Sequence, residues 1–277
     1  MAPRRSLGRR IGRPANPAFA FAVTLLISGC VTSGAHDWGA EATLRPGTTR
    51  LRHAALAAAT DARVWAPLAA AALFQIDGWD RKVSNWARDE TPLFGSQHAA
   101  QDWSDGLRTA SSVAYFATVV ATPGPQEPGP WIRDKAQGLV VGLGAIGVTG
   151  LATSTLKSAT GRTRPNGQGT NSFPSGHASH SAVLTGLAHD NLDSIDMSQG
   201  SRRAIDLGLD ALTVGTAWAR VEAGAHFPSD TLFSIALGNF VSRFFDDAFL
   251  DPDSDRRSAF TVTPVAGGIE MQWQVRY

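Results

Sequence analysis

Cysteine is all but missing from this chain of 277 residues, because Cys30 is the only one. A disulfide framework is therefore excluded. Acidic residues are missing from positions 1–30, which hold 5 of the 25 Lys and Arg and none of the 24 Asp and Glu. The remainder carries 20 basic against 24 acidic residues, a net of −4 where the whole chain has +1. That balance excludes a general nucleic-acid binder, and basic residues that do cluster become more informative. Long uncharged runs are also scarce, and the mean hydropathy of −0.09 speaks against a polytopic membrane protein. Internal repeats and βαβ alternation are absent, which removes solenoids and parallel α/β layouts. What is present, 43% hydrophobic residues over this length, suffices for one compact domain with a sizeable core.

The N-terminus reads apart from the rest. Arg4, Arg5, Arg9, Arg10 and Arg13 precede the apolar run AFAFAVTLLISGC, the layout of an export signal too short to span a bilayer. Ile27-Ser28-Gly29-Cys30 resembles a bacterial lipobox, which implies lipidation of Cys30 and a protein lipid-anchored in the bacterial cell envelope, facing the periplasm. Residues 1–30 are then a lipoprotein signal peptide and 31–50 a polar tether. Residues 51–250 are expected to form an all-α helical bundle, with helices near 51–62, 64–76, 79–87, 96–121, 176–190, 201–221 and 229–247. TPGPQEPGP, residues 122–130, reads as a loop. Gly138–Leu156 is apolar enough to span a membrane, but its five glycines suit a tightly packed central core helix as well. Charged residues in the later helices favour the core reading. DDAFLDPDSDRR, residues 246–257, reads as a charged linker, and 251–277 as linker and hairpin beyond the helical domain. Strict alternation over 269–277 and a Gly267-Gly268 turn predict a short C-terminal β-hairpin, packed on the bundle or on a partner.

Three remote segments carry the chemistry: Lys157 to Arg164-Pro165, Pro174-Ser175-Gly176-His177, and Arg220 to His226 to Asp230. In order and internal spacing they resemble the three-part signature of the type 2 phosphatidic acid phosphatase superfamily. That superfamily includes class A acid phosphatases, lipid phosphate phosphatases and vanadium haloperoxidases. The resemblance covers residues 157–230. It departs at Ala219, where the family has Ser, and in the short loop between Pro165 and Pro174.

A phosphate ester carries close to two negative charges, and its transfer transition state must be held electrostatically. Lys157, Arg164 and Arg220 supply three cations. Arginine forks match phosphate oxygens in pairs, and Lys acts as a point charge. The backbone N–H of Gly176 at a helix mouth and the Ser175 hydroxyl complete a phosphate cradle. Asp230, four residues after His226, is expected to accept from one of its ring nitrogens and leave the other facing phosphorus. His177 is expected to protonate the leaving oxygen. The resemblance implies a phosphohistidine on His226, cleaved by water with His177 as base, and neither metal nor cofactor.

The expected substrates are phosphorylated small molecules or lipid phosphates. Two rivals remain: a vanadate-dependent haloperoxidase using the same cradle, and a non-catalytic envelope scaffold in which Ala219 leaves Arg220 loose. Arg162 is open between phosphate and solvent. His177 and His180, one helical turn apart, raise a metal site, with His180 expected instead at a pocket wall or the surface. His189 beside Asp190 is expected to cap a helix. Trp79, Trp86 and Trp103 are expected in the core, with an apolar substrate groove as the alternative.

Overall fold

The computed structural model describes residues 37–250, together with the backbone of 258–265 and 268–275. The helices are α1 Thr48–Thr60, α2 Ala62–Leu73, α3 Trp79–Glu90, α4 Gln97–Ala121, α5 Pro128–Thr160, α6 Gly176–Leu192, α7 Gln199–Glu222 and α8 Pro228–Phe245. A π-helical turn, Asp246–Leu250, extends α8. Strands β1 Ser258–Val265 and β2 Gly268–Val275 pair antiparallel, with Phe260 opposite Trp273. The expected signal peptide, with Cys30, and the expected linker at 251–257 lie outside the described residues.

Local chemistry sets the helix ends. Ser96, Ser175 and Ser198 each accept from the backbone N–H three residues on, the N-cap arrangement that satisfies an otherwise orphaned donor. Pro128 and Pro228 occupy first-turn positions, where the missing N–H costs nothing. Helix α5 therefore begins inside the stretch expected to be loop. It ends at Gly161 in the left-handed region (φ 54°), and α3 ends at Thr91 likewise (φ 41°).

The central helix is α6, not the apolar α5. Residues 178, 179 and 181–192 are all buried against α4, α5, α7 and α8. Its composition disguises this. Small residues let neighbours approach: a Cβ on Gly186 would lie 2.2 Å from Ser242 Oγ, and one on Gly238 of α8 2.6 Å from Ala182 Cβ. The hydroxyls pair off between helices, Ser111 with Ser181 at 2.6 Å, Thr185 with Thr213 at 2.6 Å and Thr153 with Ser179 at 3.0 Å. Buried polar groups paired in this way avoid the desolvation penalty. Helix α5 packs through one face only, where Gly138 receives Trp38 and Gly142 receives Tyr115. Its other face leaves Val140, Leu143, Val148 and Leu151 exposed, Leu151 at 69%. It is long and apolar enough to cross a membrane.

Two further expectations are corrected. Residues 37–50 are no free tether: Trp38 is buried in the main core cluster, its N–H bonds to the Pro123 carbonyl, and α1 already starts at Thr48. Trp79, Trp86 and Trp103 are not core residues, each being about half exposed. Trp86 rests on Trp218 and Trp103 on Phe94.

Candidate active site

The three segments meet at one end of the bundle. Lys157 and Arg164 come from the last turn of α5 and the loop after it, His177 from the first turn of α6, and Arg220 from the last turn of α7. His226 sits in the tight turn before α8, where Gly224 has φ 65° and the Ala225 and His226 N–H groups return to the Arg220 carbonyl. The loops are tied together: Asn166 N–H donates to the Gly224 carbonyl, and Arg88 of α3 donates to the Pro165 carbonyl at 3.0 Å.

His226 is 2% exposed, and burial pushes its pKa well below 6.5, with the charges of Arg220, Lys157 and Arg164 acting in the same direction. The ring is neutral at neutral pH. Its Nδ1 bonds to the Ser172 carbonyl. A carbonyl only accepts, so Nδ1 must carry the proton and Nε2 keeps the lone pair.

Asp230 does not fill its expected place beside this ring. One carboxylate oxygen accepts from Ser172 Oγ at 2.5 Å and from the Phe227 N–H at 2.9 Å, and the other accepts from Arg162 at 2.5 Å. The reason is local: Phe227 is the N-cap of α8, and a carboxylate three residues on turns back to its N–H. Asp230 thus reaches His226 through Ser172, whose carbonyl holds the imidazole while its hydroxyl is held by the carboxylate. Burial raises the Asp230 pKa, opposed by these same donors.

The imidazole with a direct carboxylate partner is His177, whose Nε2 lies 2.7 Å from Asp105 of α4. That bond holds the Asp105 pKa below the usual carboxylate range. Burial lowers the His177 pKa below 6.5, Asp105 opposes this, and Arg220 and Arg108 add to it. Arg220 acts on both imidazoles.

The cations differ in how they are held. Arg220 is 4% exposed and donates to Gln101 and Ser104 of α4, leaving its Nε buried without a partner. Burial and the Arg164 charge lower its pKa to about 10. Ala219 is fully buried, and the looseness expected of Arg220 is not found because α4 supplies the hydrogen bonds. Arg164 also has a buried, unpartnered Nε. Two buried guanidinium donors without protein acceptors suit a site that binds an anion. Lys157 donates to the Asn171 carbonyl at 2.6 Å, and burial beside Arg164 lowers its pKa to about 8. Gly176 opens α6, so its N–H is among the four with no intrahelical acceptor. Ser175 is more committed than expected: its oxygen caps α6 and its N–H donates to Ser234 Oγ at 2.7 Å, leaving only its hydroxyl proton for a ligand.

Arg162 turns to neither phosphate nor open solvent. It bridges two buried carboxylates, Asp230 and Asp80 of α3, the latter at 2.7 Å. Asp80 also accepts from the Ser229 N–H and hydroxyl. His189 does not cap a helix; it joins α6 to Asp206 and Asp210 of α7 at 2.8 and 3.3 Å. His180 lines a cavity beside His177. Among the described residues, no group of three His, Cys, Asp or Glu is arranged to hold a metal ion. Sequence reasoning missed Asp80, Gln101, Ser104, Asp105 and Ser172. Asp80, Gln101, Ser104 and Asp105 stand at no fixed spacing from the three segments, although Asp105 follows Gln101 by one helical turn; Ser172 stands two residues before Pro174, and that closeness was the signal available for it.

No curated protein matches the chain. The crystal structure of a transmembrane PAP2-type phosphatidylglycerolphosphate phosphatase from Bacillus subtilis is similar at a TM-score of 0.48 and 18% identity. The match covers 67% of this chain and 92% of that one, and at this score it carries no argument about the site. The family model described as PAP2 superfamily matches residues 138–246, which include all three cations and both imidazoles. This chain carries a PAP2 superfamily domain over those residues.

Proposed function

We propose that the chain is a phosphatase that hydrolyses phosphomonoesters or lipid (pyro)phosphates through a phosphohistidine on His226, without a metal. One observation carries the reading: a buried imidazole whose proton is fixed on Nδ1 by a carbonyl, with three cations acting on it. The cations draw the phosphoryl oxygens in, and Nε2 attacks phosphorus. The bond to the leaving oxygen breaks, and that oxygen takes a proton from His177. Water then attacks the phosphohistidine, gives its proton back to His177, and inorganic phosphate leaves. Asp105 orients His177, and Ser172 with Asp230 orients His226.

Residues 1–30 support lipid anchoring in a bacterial envelope, and the exposed apolar face of α5 supports membrane association. A role for the strand pair at a partner surface belongs to the same proposal. The direct test is hydrolysis by the purified chain with and without chelator. Undiminished turnover in excess chelator is expected, and metal-dependent turnover would defeat the mechanism.

The pH dependence follows from Lys157. It is charged below about pH 8 in the free enzyme and loses its charge above that, so kcat/KM is expected to fall through an alkaline limb near pH 8. Lys157→Arg, which keeps its charge, is expected to move that limb upward whatever it does to the maximum. A limb unmoved in the variant would assign it to another group.

A further inference from the structure

Helix α4 brings three groups to the site: Gln101 and Ser104 accept from Arg220, and Asp105 holds His177. Yet its first three turns are thinly packed. Of residues 97–108 only Ala100 and Ser104 are buried, whereas Ser111, Tyr115, Thr118 and Val119 fix the second half in the bundle. Something besides core packing must set where those first turns lie. Glu222 is placed to do so, at the end of α7 and two residues after Arg220. It is fully buried. Its Oε1 accepts from the Leu93 N–H at 3.1 Å and from the Trp218 indole, and its Oε2 accepts from the Phe94 N–H at 3.1 Å. Phe94 stands two residues before Ser96, the N-cap of α4. The end of α7 thus grips the entry to α4 through Glu222 and the following turns through Arg220. A carboxylate accepts at both oxygens, and a carboxamide at one only, so Glu222→Gln would set an NH2 group against one of these N–H donors.

We propose that Glu222 is a positioning residue for the proton-donating side of the site, acting through α4 and Asp105 on His177. The inference rests on the phosphatase reading. Arg220 belongs to α7 itself and keeps its helix when the clamp is weakened. Asp105 reaches His177 only while α4 holds its place, and His177 must meet the leaving oxygen as the bond to phosphorus breaks. Loosening the clamp therefore misplaces the proton donor and largely spares the phosphate cradle.

The test compares phenyl phosphate with 4-nitrophenyl phosphate as substrates of the full chain. Phenolate needs a proton as it leaves, and 4-nitrophenolate departs without one. Glu222→Gln is expected to lower kcat/KM about tenfold or more for phenyl phosphate and less than about threefold for 4-nitrophenyl phosphate. Asp105→Asn is expected to show the same selectivity. In the double variant the loss on phenyl phosphate should stay within about threefold of the larger single loss, because both residues act on one proton donor. A role in stability alone would lower both substrates together or neither, and its effect would multiply with that of Asp105→Asn. Any of those results overturns the proposal and leaves the phosphatase reading standing. A wild-type enzyme inactive on both esters defeats the phosphomonoester reading and the inference with it. Should Glu222→Gln not fold, Glu222→Asp, which keeps the carboxylate but draws it back by one methylene, decides by the same comparison of substrates.

Discussion

Replacing His226 with alanine is expected to lower kcat/KM by about 10⁴-fold or more, the scale on which a covalent nucleophile's loss is felt when the rest of the site survives. The ring is buried, so truncation leaves a cavity and the Ser172 carbonyl without its donor. His226→Asn, smaller than imidazole and able to donate toward Ser172, separates folding from chemistry: it should retain most of the stability and none of the turnover. Phosphate binding should persist in both variants, because Lys157, Arg164 and Arg220 remain. Steady-state kinetics with calorimetric phosphate titration reads both quantities. Activity within tenfold of wild type in either variant would remove His226 from the reaction.

The second large effect concerns stability. Arg162→Ala leaves Asp80 and Asp230 without their shared cation, and their side chains are 8% and 0% exposed. Removing one partner of a buried ion pair typically costs about 3–5 kcal/mol, because the remaining charge stays desolvated. Arg162 is itself 32% exposed, so the lower end is expected, about 3 kcal/mol. The pH dependence has a definite sign. The Asp230 pKa is raised by burial even with Arg162 present, and without the cation it rises further. Where the folded state holds a proton that the unfolded state releases, stability falls with rising pH. The variant's deficit should therefore be larger at pH 8 than at pH 5, measured by chemical denaturation. An equal deficit at both values would mean that Asp230 is compensated by its other donors alone.

The network also explains why activity should respond to Asp80, a residue outside the matched family segment. Asp80 bonds to Ser229 at the first turn of α8 and to Arg162, and Arg162 fixes Asp230. Through Ser172 that chain of contacts ends on the His226 ring. Asp80→Asn is expected to slow kcat more than it raises KM, since it misplaces the nucleophile and leaves the three cations in place.

The sequence carried the proposed catalytic ends of this chain of contacts and not its middle. Lys157, Arg164, His177, Arg220 and His226 occupy fixed spacings within short segments, because each segment is one helix end or one turn that must present its groups to a single point. Asp105 and Asp80 sit on separate helices and reach the site by tertiary packing, for which no spacing exists. The Asp230 expectation failed for a different reason. The four-residue interval from His226 suits a helical pair, but the chain turns at Gly224 and caps α8 at Phe227, so the carboxylate folds back on the backbone. The helical class was legible in Ala-rich and periodic segments. Which helix lies at the centre was not, because α6 buries hydroxyls in mutual pairs and α5 exposes hydrocarbon, reversing what hydropathy alone suggests.

The mechanism stands on a covalent bond to one nitrogen. Rapid quenching of His177→Ala after mixing with phosphoryl-labelled 4-nitrophenyl phosphate, whose leaving group departs without a proton from His177, would look for that bond where its hydrolysis is slowed. The account predicts an acid-labile, alkali-stable phosphoprotein with the label on residue 226, absent when His226 is also replaced. Label on another residue, or turnover with no labelled protein at any time point, would contradict it.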